Sequence, residues 1–231
     1  MSGRPKARRR APPVNLDAAV PPPRSAYAAQ EWRLIRRLRT PKAVQDWLRS
    51  LPYNWEKQGE TLRSFRDVAR RGTAHCLEAA LAAAVILEQH RFPPLVVSFE
   101  SQDGIDHVIF VFQRRGRWGA VARSRDAGLH GRRPVFRTIR DLVWSYYDPY
   151  VDWTGRLTGY QLVDLRALGS YDWRFNPKNM WKVEQVLLGI PHTRLRASNR
   201  RYTRLLREFL AFRKRHPKAP AEYYEGREHW L

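Results

Sequence analysis

The chain has 231 residues, 43% hydrophobic and 12% aromatic, which is enough for one domain with a buried core. Its single cysteine excludes an internal disulfide framework and a multi-cysteine zinc site, and it fits a reducing compartment, so a cytoplasmic location is expected. The formal net charge of +21 suits phosphate or acidic partners, but 36 of the 43 basic residues are Arg and only 7 are Lys, a bias that fits a GC-rich coding sequence better than selected phosphate contacts.

Residues 1–25 carry a basic cluster (Arg4, Lys6, Arg8, Arg9, Arg10) and the run "VPPPRS" without hydrophobic period, so a disordered basic tail is predicted there. The start has no apolar region of a secretory leader. No stretch approaches the roughly 18 apolar residues of a membrane span. A main domain is expected over 26–192 and a basic C-terminal helix and tail over 193–231. A short helix is predicted in "YAAQEWRLIRRLR". A second follows in "TPKAVQDWLRSL", with Thr40 as N-cap and Pro41 at the first helical position. "PYNWEKQGET" is a loop, and "SFRDVARRG" a short helix closed by Gly72. The alanine-rich helix that follows is expected to use Thr73 as N-cap, which puts Cys76 in its first turn, and to end near His90.

Three strand signals come next: "PLVVSFE", "HVIFVFQR" and "RWGAVARS". The middle one is apolar almost throughout, so both of its faces should be covered. A two-residue turn at Arg115-Gly116 would set Arg114 opposite Arg117 and, further out, His107 opposite Ser124. Ile109, Val111, Ala120 and Ala122 then share a face, and the small alanines leave room for the Cys76 helix. Thr138 and Asp141 form a capping box for a helix over 139–148. "RLTGYQLVDL" is a strand candidate, Asn176-Pro177 opens a helix to about Leu188, and Ser198 caps a last helix to about His216. The expected class is α+β, with the Cys-bearing helix packed on an antiparallel sheet and further helices flanking it.

Thiol chemistry needs a cysteine with a lowered pKa, a base, and a group that orients the base. A helix N-terminus favours thiolate through its free N–H groups and its positive dipole end. A buried free cysteine is also a common core residue, so the partner decides. His75 is adjacent, and successive helical side chains diverge by about 100°. His90 is at the far end of the same helix, His216 and His229 are C-terminal, and His130 and His192 lie in loops. His107, at the mouth of the most apolar strand, is the best placed. Ser124 opposite it is the candidate for orienting the imidazole, and Asp126 is the nearest carboxylate on that side. The Cys76 N–H is a candidate oxyanion donor, with Asn54, Trp55 and Gln58 as side-chain candidates.

The segment from "GTAHCLEAALAAAVIL" through "DHVIFVFQRRGRWGAVARSRD" resembles the transglutaminase-like branch of the papain-like thiol enzymes, and with "RPVFRTIRDLVWSYYDPY" it is similar to a bacterial subgroup of that superfamily. The resemblance implies Cys76 as nucleophile and His107 as base, in acyl transfer from a protein or peptide amide to water or an amine (a peptidase, amidase or transglutaminase-like activity). No metal or cofactor site is visible in the sequence, so none is expected. Two positions depart from the family pattern: Ala122 stands where an aspartate is usual, and Ile109 where an aromatic is usual. Ser124 or Asp126 is then expected to serve as third member. Two other readings of the sequence remain open. One is a catalytically degenerate scaffold of this fold with "AEYYEGREHWL" as a docking tail. The other is nonspecific nucleic-acid binding through the basic tail and residues 193–218, which hold ten Lys/Arg and one Glu.

Overall fold

A computed structural model of the chain describes residue 16, residues 20–104 and residues 107–231. The basic cluster of the expected tail, Arg4 to Arg10, lies outside the described residues, as does Asp106 ahead of His107.

Three helices lead in: α1 (Ala29–Arg37), α2 (Pro41–Ser50) and α3 (Phe65–Arg71). Thr40 Oγ1 accepts from the Ala43 N–H at 3.2 Å, as its sequence position predicts. Gly72 ends α3 in the left-handed region at φ 67°. The next helix, α4 (Cys76–Glu88), is buried at every position after Cys76. Its cap is not Thr73 but His75. The Glu78 carboxylate accepts from the His75 N–H at 3.1 Å, and this grip starts the helix at Cys76 itself.

The sheet has six strands, all antiparallel, in the order β4-β3-β2-β1-β5-β6. They are β1 (Leu95–Ser101), β2 (Val108–Arg114), β3 (Arg117–Val121), β4 (Arg132–Phe136), β5 (Leu157–Asp164) and β6 (Thr193–Arg194). Arg115 and Gly116 take φ 51° and 69°, the two positive values of a type I′ turn, and Arg114 pairs with Arg117. The ladder ends at Phe110 opposite Val121, so the expected pairing does not continue as far as His107 and Ser124.

Each face of the sheet is covered. Val96, Val108, Phe110, Phe112 and Val121 share one core with α4. Val97, Ile109, Val111, Ala120 and Ala122 face the other way, against α5 (Ile139–Tyr150). The small alanines of the sheet therefore make room for α5 rather than for the Cys76 helix. It is the alanines of α4 itself that let α4 lie close to its neighbours. Thr138 and Asp141 cap α5 reciprocally, each bond being 3.1 Å.

The next helix begins later than its Asn-Pro start suggests: α6 is Trp181–Gly189. Residues 176–180 are tied elsewhere. Asn179 Oδ1 accepts from the Leu62 N–H at 3.0 Å, and the Met180 N–H donates to the Leu62 carbonyl at 2.8 Å. The last helix, α7 (Asn199–Arg215), is capped by Ser198 and buries Leu205 and Phe209. Two of its arginines are paired, Arg201 with Asp148 and Arg204 with Glu208. The following segment folds back: Tyr224 is buried, and the Leu231 N–H donates to the Gly131 carbonyl at 3.1 Å, so these residues cover the domain instead of standing out as a docking tail. Strands β4 and β6 have no period-2 signature in the sequence. β4 begins with two arginines and contains a proline, and β6 is two residues long. Among the described residues no helix is long and apolar enough to cross a membrane.

Candidate active site

Cys76 is the first residue of α4 and is partly exposed. It lines an open cleft of about 480 Å³ together with Tyr53, His107, Ser124, Arg125 and Tyr224. A cleft of this size accommodates a side chain and part of a peptide backbone. Burial would raise the thiol pKa. Hydrogen bonds to His107 and to His75, with their positive charge, outweigh burial and bring it down to about 5.

His107 stands directly before β2 and is 4% exposed. Its ring lies parallel to Phe99 at 5.9 Å and beside Tyr146 at 6.3 Å. Nε2 is 3.0 Å from the Leu129 carbonyl oxygen. A carbonyl only accepts, so Nε2 carries the hydrogen and the other ring nitrogen, Nδ1, is left for the thiol.

His75 is the second partner of the thiol, against the expectation from helical side-chain divergence. That divergence applies inside a helix, whereas His75 is the cap, with extended φ −91° and ψ −176°. Its Nε2 donates to the Thr61 carbonyl at 2.9 Å and lies 3.5 Å from Glu78 Oε1. Burial would lower its pKa, but the bond to Cys76 and the Glu78 charge raise it to about 9. Glu78 is fully buried and accepts four hydrogen bonds. Oε1 takes Thr61 Oγ1 at 2.9 Å and the Arg63 N–H at 3.0 Å; Oε2 takes Asn54 Nδ2 and the His75 N–H, each at 3.1 Å.

Ser124 and Asp126 lie in the same cleft as Cys76 and His107. The Ser124 hydroxyl accepts from the Asp126 N–H at 3.2 Å, and the Asp126 carboxylate pairs with Arg125 at 3.1 Å. The acceptor on His107 Nε2 is thus the backbone of residue 129. Of the other histidines, His130 is buried between Arg49 and Arg123 and donates from Nε2 to the Ser124 carbonyl at 2.9 Å. Burial first, then those two guanidiniums, lower its pKa to about 4, so it stays neutral. His90 donates to the Ile35 carbonyl.

The side-chain oxyanion candidates fare unevenly. Asn54 spends its amide on Thr61 and Glu78, Trp55 is 60% exposed at the cleft rim, and Gln58 lines the adjoining hollow. Tyr53, which no sequence pattern singles out, is brought beside Cys76 by a parallel bridge to Ala74. Its pKa is raised, by burial first and then by the negative charge of Cys76, so its hydroxyl remains a donor. Among the described residues no group of three or more His, Cys, Asp or Glu is placed to hold a metal ion.

Fold and site define an α+β protein that holds a thiol between two histidines at a helix N-terminus in an open cleft. No protein-family model matches the chain. A stretch of 125 residues is 30% identical to Tubulinyl-Tyr carboxypeptidase 1 of Mus musculus, covering 47% of this chain and 33% of that protein. The chain therefore spans about a third of that relative's length. Among solved structures it is similar to Legionella pneumophila LapG, with a TM-score of 0.36 and 11% identity over 64% of this chain and 89% of that one. For the EGTA-treated form of LapG the TM-score is 0.35 and the identity 12% over the same shares.

Proposed function

We propose that the protein is a thiol peptidase of the transglutaminase-like, papain-like kind, with Cys76 as nucleophile and His107 as its acid-base partner. The observation that carries this reading is a cysteine at a helix N-terminus, hydrogen-bonded to a buried histidine whose far nitrogen is already anchored on a carbonyl. The Cys76 sulfur attacks the carbonyl carbon of a peptide bond, and the carbonyl pair moves onto oxygen. The Cys76 N–H and the Tyr53 hydroxyl are the donors available to that oxygen. On collapse, His107 Nδ1–H protonates the leaving amine. Water then attacks the thioester, giving its proton to His107 and releasing the acid and the Cys76 thiolate. Ser124 and Asp126 shape the 124–126 turn beside the imidazole. Removal of a C-terminal residue is the specific form we favour, because the 30% identical relative is called a carboxypeptidase and Arg125, whose Nε is held by Asp126, lines the cleft where its guanidinium would meet a terminal carboxylate.

The test is a panel of peptides with free or amidated C-termini, incubated with the wild type and with Cys76→Ala, and analysed by mass spectrometry. Release of the terminal residue from free-acid peptides alone, and only by the wild type, is the expected result. Cleavage of both forms would leave a thiol peptidase without terminal specificity, and a product mass matching an added amine would favour transfer over hydrolysis. Equal product from Cys76→Ala, or none from the wild type, would sink the reading.

A further inference from the structure

Arg132 opens β4 and is 1% exposed, yet among the described residues it makes no ion pair. A buried guanidinium without a counter-ion costs several kcal/mol unless other acceptors surround it. Here they are backbone carbonyls. Nη2 donates to the Gly128 carbonyl at 2.6 Å and the Ser145 carbonyl at 3.2 Å. Nη1 donates to the His130 carbonyl at 2.8 Å and the Gly131 carbonyl at 3.3 Å, and Nε donates to Ser145 Oγ at 3.2 Å. The guanidinium lies over the Tyr146 ring at 4.1 Å, and the Tyr146 hydroxyl adds a second donor to the His130 carbonyl at 3.0 Å.

The pattern of these carbonyls matters more than their number. Those of residues 128, 130 and 131 turn to Arg132. The one between them, of Leu129, turns instead to His107 Nε2 at 3.0 Å. Neighbouring peptide planes share a Cα, so holding the planes on both sides restricts the plane between. We propose that Arg132 is a positioning residue for His107: by gathering the carbonyls of Gly128, His130 and Gly131 it holds the Leu129 carbonyl as the acceptor that orients the imidazole toward Cys76. This rests on the thiol-peptidase reading, and it assigns the orienting role of a catalytic third member to a backbone oxygen set in place by a buried cation. A carboxylate would stabilise the imidazolium by charge; a fixed carbonyl does so by its dipole alone and depends on its aim.

The chain has one cysteine, so iodoacetamide alkylation reports Cys76 alone. The pH of half-maximal alkylation is measured for the wild type, Arg132→Lys, Arg132→Met, Tyr146→Phe and a core comparator, Val143→Ala, alongside melting and peptide turnover. A freed Leu129 carbonyl leaves the imidazolium less well held. The midpoint should then rise by about one pH unit in both Arg132 variants and by less in Tyr146→Phe, and kcat should fall by about tenfold with KM little changed. Val143→Ala, which lowers melting through the α5 core, should leave the midpoint in place; this separates aim from stability. Should Arg132→Met not fold, Arg132→Lys and Tyr146→Phe decide. A midpoint within about 0.3 unit of the wild type in the folded Arg132 variants overturns the inference and leaves the peptidase reading intact. A wild-type midpoint at the ordinary thiol value of about 8.5 overturns both.

Discussion

Replacing Glu78 with Gln tests how tightly the cleft is tied together behind the thiol. The carboxylate is buried, and each of its oxygens accepts from two donors. Glutamine offers one oxygen. Its amide nitrogen would face two donors that have nothing to donate to, and only the Thr61 hydroxyl can rotate away. Two charge-assisted bonds are lost, at about 1.5 kcal/mol or more each, and at least one buried N–H is left unpaired at about 1–3 kcal/mol. The expected loss is about 4–6 kcal/mol. For a chain of this length about 2–4 °C accompany each kcal/mol, so melting followed by circular dichroism at pH 7 should fall by roughly 8–24 °C. The same change removes the negative charge that supports the His75 imidazolium, so the Cys76 alkylation midpoint should rise. A melting point within about 3 °C of the wild type would refute the four-donor account.

Iodoacetamide should react with the wild type through a midpoint near pH 5. At pH 6 it should react about 5–10-fold faster than with the denatured chain, since greater ionisation is partly offset by the weaker nucleophilicity of a low-pKa thiolate; equal rates would contradict it. The linked stability has two limbs. The thiolate contribution is complete above the unfolded pKa of about 8.5–9 and is lost as pH falls through about 5, whereas that of His75 is complete below about 6.5 and is lost as pH rises through about 9. Urea midpoints across pH should therefore peak between roughly pH 6 and 9, and a peak outside that window would count against the pair. His75→Ala should raise the thiol midpoint yet keep measurable peptide turnover, whereas His107→Ala should abolish turnover. Gln45 uses its buried amide to bond both the N–H and the carbonyl of Ala122, each at 2.9 Å. Gln45→Leu should cost about 2–4 kcal/mol in urea unfolding, and a loss below about 1 kcal/mol would show those groups find other partners.

Features encoded in short stretches were legible from sequence. Thr40 before Pro41, Thr138 with Asp141 and the Arg115-Gly116 turn all act within four residues, and each forms as expected. The cap of the Cys76 helix lies two residues beyond the expected Thr73, because His75 is not a usual capping residue and the Glu78 carboxylate grips its N–H. Tyr53 reaches the cleft only through a bridge to Ala74, a contact across 21 positions that no local pattern records. The acceptor on His107 was illegible for a deeper reason: every residue has a carbonyl, so the letter at position 129 does not announce one aimed at an imidazole.

Because α4 is sheathed on every side after its first residue, its amide hydrogens should be among the slowest in the molecule to exchange with solvent, opening only when the whole domain opens. The reactive sulfur thus stands at the tip of the least yielding rod in the fold, while Trp55 and residues 57–60 at the edge of the cleft are exposed to solvent. Adaptation to a different substrate would then come from reshaping that edge, with the sulfur as the fixed point around which the cleft is rebuilt.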